Sequence, residues 1–202
     1  MAIQRLRRGA QVERNRGLLL AAARRVFLAR GFHGATLEAI AEEAGFSKGV
    51  VYSQFESKAD LFLGLLDERI AERAQQNERI VREAASGAAG LAALVAAGER
   101  LAAAEPAWAL LVLEFRAHAA RDPALNARYA AAHARTTERL AAALAKLLPD
   151  TGPGWPPERV AAVLLALGSG TTLENCATHG ALPPGAIADL LTRALGAAET
   201  RT

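Results

Sequence analysis

Apolar side chains recur at three- and four-residue intervals along most of the chain, with charged or small polar side chains between them. This spacing is typical of helices that bury one face, and it first runs from about Glu13 to Arg30. Roughly a quarter of the residues are alanine and β-branched residues are sparse, which also favours helix over sheet. We therefore predict an all-α protein of about nine helices.

Short N-terminal helices are predicted before a much longer one. Thr36 can cap a second helix after the first, and Gly45 ends it. Ser47 is the next credible N-cap and opens a helix of barely two turns. Ser57 then caps a long helix that we expect to reach about Ala85. Three small helices thus precede the long one.

Proline and glycine mark the later breaks. We predict a break at Ser86–Gly90, a helix start at Pro106, and loops over residues 149–157 and 180–184. The two helices that flank the last loop are apolar along broad faces. Because such faces usually need a partner, we expect a homodimer through the last two helices.

Positive charge is concentrated near the N-terminus. Ten Lys or Arg side chains face six Asp or Glu up to Asp60, whereas fourteen face fifteen in the remainder. Such an arm is an electrostatic footprint for DNA phosphate, and a solvated arm that only aids solubility is the alternative. In the first thirty residues Glu13 is the one acid beside eight arginines: Arg5, Arg7, Arg8, Arg14, Arg16, Arg24, Arg25 and Arg30.

Cysteine content and hydropathy indicate the compartment. The lone Cys176 cannot form an intrachain disulfide, and the N-terminus lacks the apolar run of a signal peptide. Charges interrupt every stretch of about 18 apolar residues, which argues against a membrane span. We expect a soluble cytoplasmic protein with no cofactor, and a Cys176 thiol that is buried and inert rather than redox-sensing.

The spacing around Gly45 is that of a helix-turn-helix. Such a motif needs a small residue where its helices approach, a glycine in the turn, and apolar residues that fix the crossing. Ala41 supplies the first and Gly45 the second. A purely structural helical hairpin would show the same spacing. The apolar positions are filled by Ile40, Ala44, Phe46 and Val51.

The stretch from Leu19 to Leu61 resembles the N-terminal region of the tetracycline-repressor (TetR) family of bacterial regulators. The chain departs from the family at Gln54, where the family often has His. The resemblance implies a dimeric, ligand-responsive repressor, with DNA binding in residues 1–57 and ligand binding and dimerisation in residues 58–202. It is carried by Leu19-Leu20, Ala22-Ala23, Phe27, Gly31-Phe32, Thr36, Ile40-Ala41, Ala44-Gly45-Phe46-Ser47, Gly49, Tyr52, Phe55, Lys58 and Leu61.

A recognition helix in the major groove needs a buried inner face and short outer side chains, which assigns Val51 and Phe55 to the core. Thr36 and Ser47 lie at helix starts, and Lys58 opens the long helix, where all three suit phosphate oxygens. The alternative is that these side chains only cap, pack or remain solvated. The predicted contacts to a double-stranded, palindromic operator are Thr36, Ser47, Lys48, Gly49, Val50, Tyr52, Ser53, Gln54 and Lys58.

A pocket for a small-molecule effector is implied by the resemblance, and a mid-chain cluster of aromatic and polar residues is its predicted lining. Glu114 and Glu174 are candidate polar anchors for the effector. The alternative is that the aromatic side chains form ordinary core. The cluster comprises Trp108, Leu111, Phe115 and His118 on one helix, and Tyr129 and His133, one turn apart, on the next.

The sequence lacks the residue spacings that dinucleotide-binding, catalytic and metal sites require. Residues 168–170, Gly-Ser-Gly, lack the preceding strand and third glycine of a dinucleotide loop, and we predict a close helix-packing point there. No catalytic grouping can be assembled. Two alternatives stay open: an activator of the same fold, and a helical small-molecule binding protein or enzyme whose N-terminal helices are structural. No metal site is predicted, because no pair has metal-binding spacing among His33, His118, His133 and His179.

Overall fold

A computed structural model of the chain describes residues 2–148, 155–178, 180 and 182–199, and within these ranges it contains nine α-helices and no strand. The all-α prediction is confirmed. His179 and most of the predicted 149–157 loop lie outside the described residues, as do the side chains of Arg5, Arg7 and Arg8. The helices are α1 (Ala2–Gly34), α2 (Leu37–Ala44), α3 (Lys48–Tyr52), α4 (Lys58–Glu83), α5 (Gly87–Ala104), α6 (Pro106–Ala119), α7 (Pro123–Leu147), α8 (Pro157–Ala177) and α9 (Ala186–Glu199).

The predicted helix boundaries in the N-terminal third are largely confirmed. Thr36 Oγ1 accepts the Ala39 amide at 3.1 Å, and Ser57 Oγ accepts the Asp60 amide at 3.0 Å, so both residues cap as expected. Helix α1 begins at Ala2, well before the predicted start at about Glu13.

Gly31 bends the end of α1. Its φ of +68° and ψ of 175° interrupt the helix before its last three residues, and only glycine adopts this conformation without strain. The bend redirects the chain so that Phe32 enters the core, where it is 2% exposed. Gly31, directly after the predicted end of the first helix at Arg30, therefore forms a turn that places Phe32 in the core.

The break predicted at Ser86–Gly90 is present but lies earlier and is shorter, because α4 ends at Glu83 and α5 already begins at Gly87. Ser86 Oγ accepts the Ala89 amide at 3.2 Å, which makes it the N-cap of α5, and both Gly87 and Gly90 lie inside that helix. Glycine is needed at these two positions because α5 packs closely against the end of α7 there, not because the local chain turns. A Cβ at Gly90 would lie 2.3 Å from Leu147 Cδ2.

Two hydrophobic cores organise the described chain. The first combines α1 to α4 with α6 and the first half of α7, and its largest fully buried side chains are Phe27, Phe55, Phe62 and Phe115. The second combines α5, α8 and α9 with the second half of α7. The boundary predicted at residue 57 consequently does not separate two cores, since α1 to α3 share theirs with α4 and α6.

Two helices of the described chain, α5 and α8, are long and apolar enough to cross a membrane by length and composition alone. Helix α5 supplies Leu91, Leu94 and Val95 to the second core. Helix α8 buries only Val160 and Ala161. The broad apolar face that the sequence predicts is partly used within the chain, because Val163, Leu164 and Leu167 pack against the second core while Leu173 is exposed.

Gly87→Ala is expected to destabilise the protein by about 2 kcal/mol, because the new Cβ would lie 2.2 Å from the Leu147 carbonyl oxygen and force α5 and α7 apart. Urea denaturation followed by circular dichroism measures the loss. Gly98→Ala is the matched control on the same helix, since its Cβ meets only Arg73 Nη2 at 3.5 Å. Equal unfolding midpoints for the two variants would contradict this account of the helix contact.

Candidate nucleic-acid interface and internal cavity

The turn between α2 and α3 has the geometry of a helix-turn-helix. Gly45 adopts φ +69°, ψ 27°, and the Phe46 amide donates to the Ala41 carbonyl at 2.9 Å, which closes a left-handed helix cap. Val51 and Phe55 are buried at 0% and 1% exposure, as predicted. Helix α3 is thus fixed by the first core through its inner face.

The outer face of α3 is exposed at most of the predicted positions. Tyr52 is 52% exposed, and Lys48, Gly49 and Ser53 are also exposed. Val50 differs from the prediction, because it is half-buried and packs against the first core. Gln54 is half-buried as well, and its Oε1 atom is buried without a hydrogen-bond partner.

Glu38 on α2 already holds the two longest side chains of this face. Lys48 Nζ lies 3.3 Å from Glu38 Oε1, and Tyr52 is near enough to the same carboxylate to affect its pKa. A backbone hydrogen bond at Glu38 lowers the pKa of its carboxyl most, and Lys48 and Tyr52 lower it further. All three side chains are solvent-accessible, so DNA would compete with a weak, screened ion pair.

The two hydroxyls at helix starts differ in availability. Thr36 Oγ1 is engaged as a cap, whereas Ser47 makes no side-chain cap hydrogen bond to α3. Both residues are exposed. Capping leaves neighbouring amides free, so the predicted phosphate contact is compatible with both positions.

Several arginines of the predicted basic arm are paired within the protein. Arg24 Nη2 lies 2.8 Å from Glu105 Oε2, and Arg25 Nε lies 2.6 Å from Glu43 Oε1. The Arg16 guanidinium stacks over Phe55, 4.6 Å from the ring centroid. The local excess of positive charge is therefore smaller than the sequence count suggests, because acids distant in sequence fold back onto α1.

Lys58 and Glu114 both bind the backbone at the end of α1. The Lys58 ammonium donates to the His33 carbonyl at 3.2 Å and to the Ala35 carbonyl at 2.9 Å. It also lies 4.7 Å from the centroid of the Phe32 ring. Burial lowers the pKa of Lys58, and the Glu114 carboxylate opposes that change. Two of its three N–H donors thus have protein acceptors, and one is left for a phosphate.

Glu114 supplies the complementary contacts. Its Oε2 accepts the Phe32 amide at 3.0 Å, and its Oε1 accepts the His33 amide at 3.1 Å. A Cβ at Gly31 would lie only 3.0 Å from Glu114 Oε2. The expected role of Glu114 as an effector anchor is corrected, because its carboxylate points at the α1 bend. We call Glu114 and Lys58, which together bind the backbone of residues 32–35, the turn clamp.

A cavity of about 240 Å³ lies among α4, α5, α6, α7 and α8. Trp108, Tyr129 and His133 line it, whereas Leu111 and Phe115 do not and instead belong to the first core. His118 also lies elsewhere, 5.1 Å from the Phe32 ring centroid. The full lining is Leu66, Arg69, Ile70, Glu72, Arg73, Gln76, Leu101, Trp108, Val112, Leu113, Arg116, Tyr129, His133, Thr136, Leu165 and Ser169.

Tyr129 and His133, which line the cavity, are both held in their uncharged forms. The Tyr129 and His133 rings stack with centroids 6.1 Å apart. Burial raises the pKa of Tyr129, and burial followed by Arg116 lowers the pKa of His133. His133 is consequently neutral at pH 7 and has one ring nitrogen to donate and one to accept.

Sequence reasoning missed the cavity arginines. Arg69, Arg73 and Gln76 lie four and three residues apart on α4, a helical spacing that places them on one face. That spacing was visible in the sequence, but nothing local indicated that α6 would pack beside it. Arg116 lies two turns after Trp108 on α6 and completes the set.

The remaining candidates have other surroundings. Glu174 is exposed on α8 and does not line the cavity. Cys176 is exposed, so the predicted buried thiol is wrong. A Cβ at Gly168 or Gly170 would meet nothing within 4 Å, so these glycines pack against nothing within the described single chain. Among the residues that the structure describes, no group of three or more His, Cys, Asp or Glu could hold a metal.

Two protein-family models match the chain. The model for bacterial regulatory proteins of the tetR family matches residues 19–65. The model for the C-terminal part of BetI-type transcriptional repressors matches residues 87–198, which is more than half of the chain. The first match covers the second half of α1, all of α2 and α3 and the start of α4, and the second covers α5 to α9.

Characterised relatives are similar at the N-terminal end. The transcriptional activator FasR from Mycolicibacterium smegmatis is 46% identical over 66 residues, which is 32% of this chain and 30% of FasR. The transcriptional repressor BepR from Brucella suis is 40% identical over 57 residues, which is 28% of this chain and 27% of BepR. The chain thus spans less than a third of the length of these relatives.

Solved structures match over nearly the whole chain. FadR from Bacillus subtilis in complex with stearoyl-CoA superposes with a TM-score of 0.71 at 19% identity, covering 88% of this chain and 96% of FadR. A transcriptional regulator from Rhodococcus superposes with a TM-score of 0.67 at 26% identity, covering 92% of this chain and 96% of the other. These likenesses establish the arrangement of helices.

Proposed function

Because the chain belongs to the tetR family of bacterial regulatory proteins, we propose that it is a transcriptional regulator that reads operator DNA with α3 and binds an effector in the cavity. The observation that carries the proposal is the division of α3. Val51 is fully buried, while Lys48, Gly49 and Tyr52 are exposed on the opposite side. A short helix held by its inner face can present the outer one to base edges in the major groove.

The proposed contacts fall into two groups. Thr36, Ser47 and the free donor of Lys58 would contact phosphate and fix the register of the protein on the duplex. Base edges would be read by the outer face of α3. In this division, residues 1–57 serve DNA binding and residues 58–202 serve effector binding and dimerisation. The reading face consists of Lys48, Gly49, Tyr52 and Ser53, with Val50 and Gln54 at its edge.

Selection of random duplex DNA by the purified full-length protein, followed by sequencing, tests the proposal. A dimer is expected to enrich an inverted repeat whose half-sites are about one helical turn, or a multiple of it, apart. Failure to enrich any sequence at physiological salt would overturn the proposal. That outcome would favour the alternative of a helical binding protein or enzyme whose N-terminal helices are structural.

Gly49→Ala is expected to weaken operator binding about tenfold while leaving the fold intact. The new Cβ meets nothing closer than Ser47 Oγ at 3.9 Å, so the isolated protein accommodates it, and alanine favours helix. On DNA the same methyl group would keep α3 from the base edges. Fluorescence anisotropy with the selected operator measures the loss, and Gly98→Ala is the control. Unchanged affinity in Gly49→Ala would show that α3 does not approach the groove closely.

Dimerisation through α8 and α9 would set the distance between the two reading faces. Leu173 on α8 and Leu190 on α9 are 51% and 57% exposed in the single chain. Exposed apolar faces of this extent mark interaction surfaces. A symmetric dimer in turn calls for a palindromic operator.

Effector binding would act on DNA binding through α6. One side of this helix carries Val112, Leu113 and Arg116 into the cavity wall, and Glu114 between them holds the α1 bend. A ligand that prefers one position of α6 therefore biases the position of the reading helices. If the ligand binds about 1.4 kcal/mol more tightly to the conformation that does not bind DNA, operator affinity falls tenfold. The neighbouring FadR was solved with stearoyl-CoA, which supports an effector role for this fold.

Repression is the proposed sign of regulation, and the cytoplasm the proposed location. The C-terminal family model describes BetI-type repressors, and BepR is a repressor. FasR, an activator, supports the second candidate. Transcription in vitro from a promoter that contains the selected operator separates the two. Lower transcript yield on addition of the protein identifies a repressor, and higher yield an activator.

A further inference from the structure

The cavity is an apolar space with an excess of positive charge. Three arginines line it, Arg69, Arg73 and Arg116, against one carboxylate, Glu72. Most of its other wall is apolar or aromatic, from side chains such as Trp108 and Leu165. A lining of this kind favours a ligand of opposite charge with an apolar body.

The three arginines are not equally engaged. Arg69 is paired, because its guanidinium lies 3.0 Å from Glu105 Oε2 and 3.2 Å from Glu72 Oε2, and 5.4 Å from the centroid of the Trp108 ring. Glu105 also receives Arg24. Arg69 and both carboxylates beside it are thus committed to one another. This network stabilises the wall and leaves no acid for the other two arginines.

Arg73 has no carboxylate partner among the described residues. Its guanidinium donates only to the Leu94 carbonyl at 3.3 Å and to Gln76 Oε1 at 3.4 Å, both at the long end of the hydrogen-bond range. Burial, followed by Arg100 and Arg69, lowers the pKa of Arg73. A guanidinium stays charged in proteins, so this is a desolvated cation with like charges around it.

Arg116 provides a second cation at the exposed side of the cavity. It lines the space, is exposed, and forms no ion pair in the part of the chain that the structure describes. Nearby Arg116 opposes protonation of His133, which keeps that imidazole uncharged. Positive charge therefore extends from the inner wall at Arg73 to the exposed side at Arg116.

From this arrangement we infer that the ligand of the cavity is an organic anion, a carboxylate on a short apolar or aromatic body. Its charged group would lie in the positive field of Arg73 and Arg116, and the guanidinium of either has the planar geometry that binds a carboxylate bidentately. Its body would lie against Trp108 and Leu165. A volume of about 240 Å³ is below the roughly 300–1,000 Å³ of typical ligand pockets, which favours one ring or a short chain.

Cationic and neutral ligands fit less well. A cation would meet Arg69, Arg73 and Arg116 with one carboxylate, Glu72, to offset them. A neutral ligand would bury Arg73 further without supplying the missing negative charge. The inference rests on the proposal that this cavity is the effector site, but its first test does not need DNA.

The test is calorimetric titration of the full-length protein with matched probes: phenylacetate, phenylacetamide and phenethylamine, and hexanoate, hexanamide and hexylamine. At least one carboxylate is expected to bind about tenfold or more tightly than its own amide and amine. Arg116→Gln and Arg73→Gln are each expected to weaken carboxylate binding about tenfold and to leave amide binding unchanged. Arg121→Gln, which removes an exposed charge outside the lining, is the control.

Three outcomes overturn the inference: neither carboxylate binds, an amide or amine binds as tightly as its carboxylate, or Arg116→Gln binds the carboxylates as the parent protein does. Because Arg116 is exposed, its variant keeps the test valid even if Arg73→Gln unfolds. Operator affinity is then measured with the bound carboxylate present. Carboxylate binding without an effect on operator affinity supports the anion site and contradicts only the effector role.

Discussion

The double variant Leu173→Glu, Leu190→Glu is expected to be a monomer that binds the selected operator about a hundredfold or more weakly than the parent protein. Each leucine is more than half exposed in the single chain, so carboxylates there leave the folded protomer unstrained. In a dimer they would be buried opposite their own copies, where like charges without partners are costly. A dimer binds both half-sites of the operator at once, which raises its affinity, and a monomer lacks this contribution.

Sedimentation velocity gives the oligomeric state, and anisotropy with full and half operators gives the affinity. Affinity for an isolated half-site is expected to be unchanged, because α3 is untouched. Leu110→Glu, at a leucine 42% exposed on α6, is the control for adding a negative charge at an exposed apolar position. A double variant that sediments as a dimer would contradict the assignment of α8 and α9 to the interface.

Glu114→Ala is expected to destabilise the protein by about 3 kcal/mol, because the Phe32 and His33 amides lose a charged acceptor. Glu114→Gln keeps one acceptor oxygen and is expected to cost about half as much. The loss of structure is expected to begin at the α1 bend. Hydrogen exchange at the Phe32 and His33 amides should quicken by about tenfold or more before the rest of α1 responds.

Thermal unfolding and amide exchange read the two effects separately. Glu138→Ala, at an exposed position on α7, is the control for removing a carboxylate. Parent-like exchange at both amides in Glu114→Ala would show that α6 does not hold the α1 bend. In that event the route proposed from the cavity to the reading helices would also fail, since the proposal routes the effect of the ligand through the hydrogen bonds of Glu114.

Local chemistry determined what could be predicted of the fold. The caps at Thr36 and Ser57 and the glycine turn at Gly45 depend on residues within a few positions, so the sequence pattern locates them. Gly87 and Gly90 depend instead on the end of α7, about sixty positions away. Two glycines near a serine resemble a loop when that distant neighbour is unknown.

The cavity shows the same limit on one helix. Helix α6 carries two stripes of side chains at helical spacing, one apolar and one that includes Arg116, and Trp108 is common to both. Leu111 and Phe115 continue one stripe into the first core, whereas Val112 and Arg116 continue the other into the cavity wall. Spacing identifies both stripes equally, and only the packing of α4 and α7 decides which one meets the open space.

The shared first core limits how the DNA-reading part can be used outside this protein. Its helices rely on Phe62 and Phe115, and on the turn clamp that Lys58 and Glu114 form, all of which lie beyond residue 57. A fragment that stops there would expose the aromatic faces of Phe27 and Phe32. Residues 1–57 are therefore not expected to fold when they are moved alone into another protein. A chimera with a different operator preference would exchange the outer face of α3 and keep α6 in place.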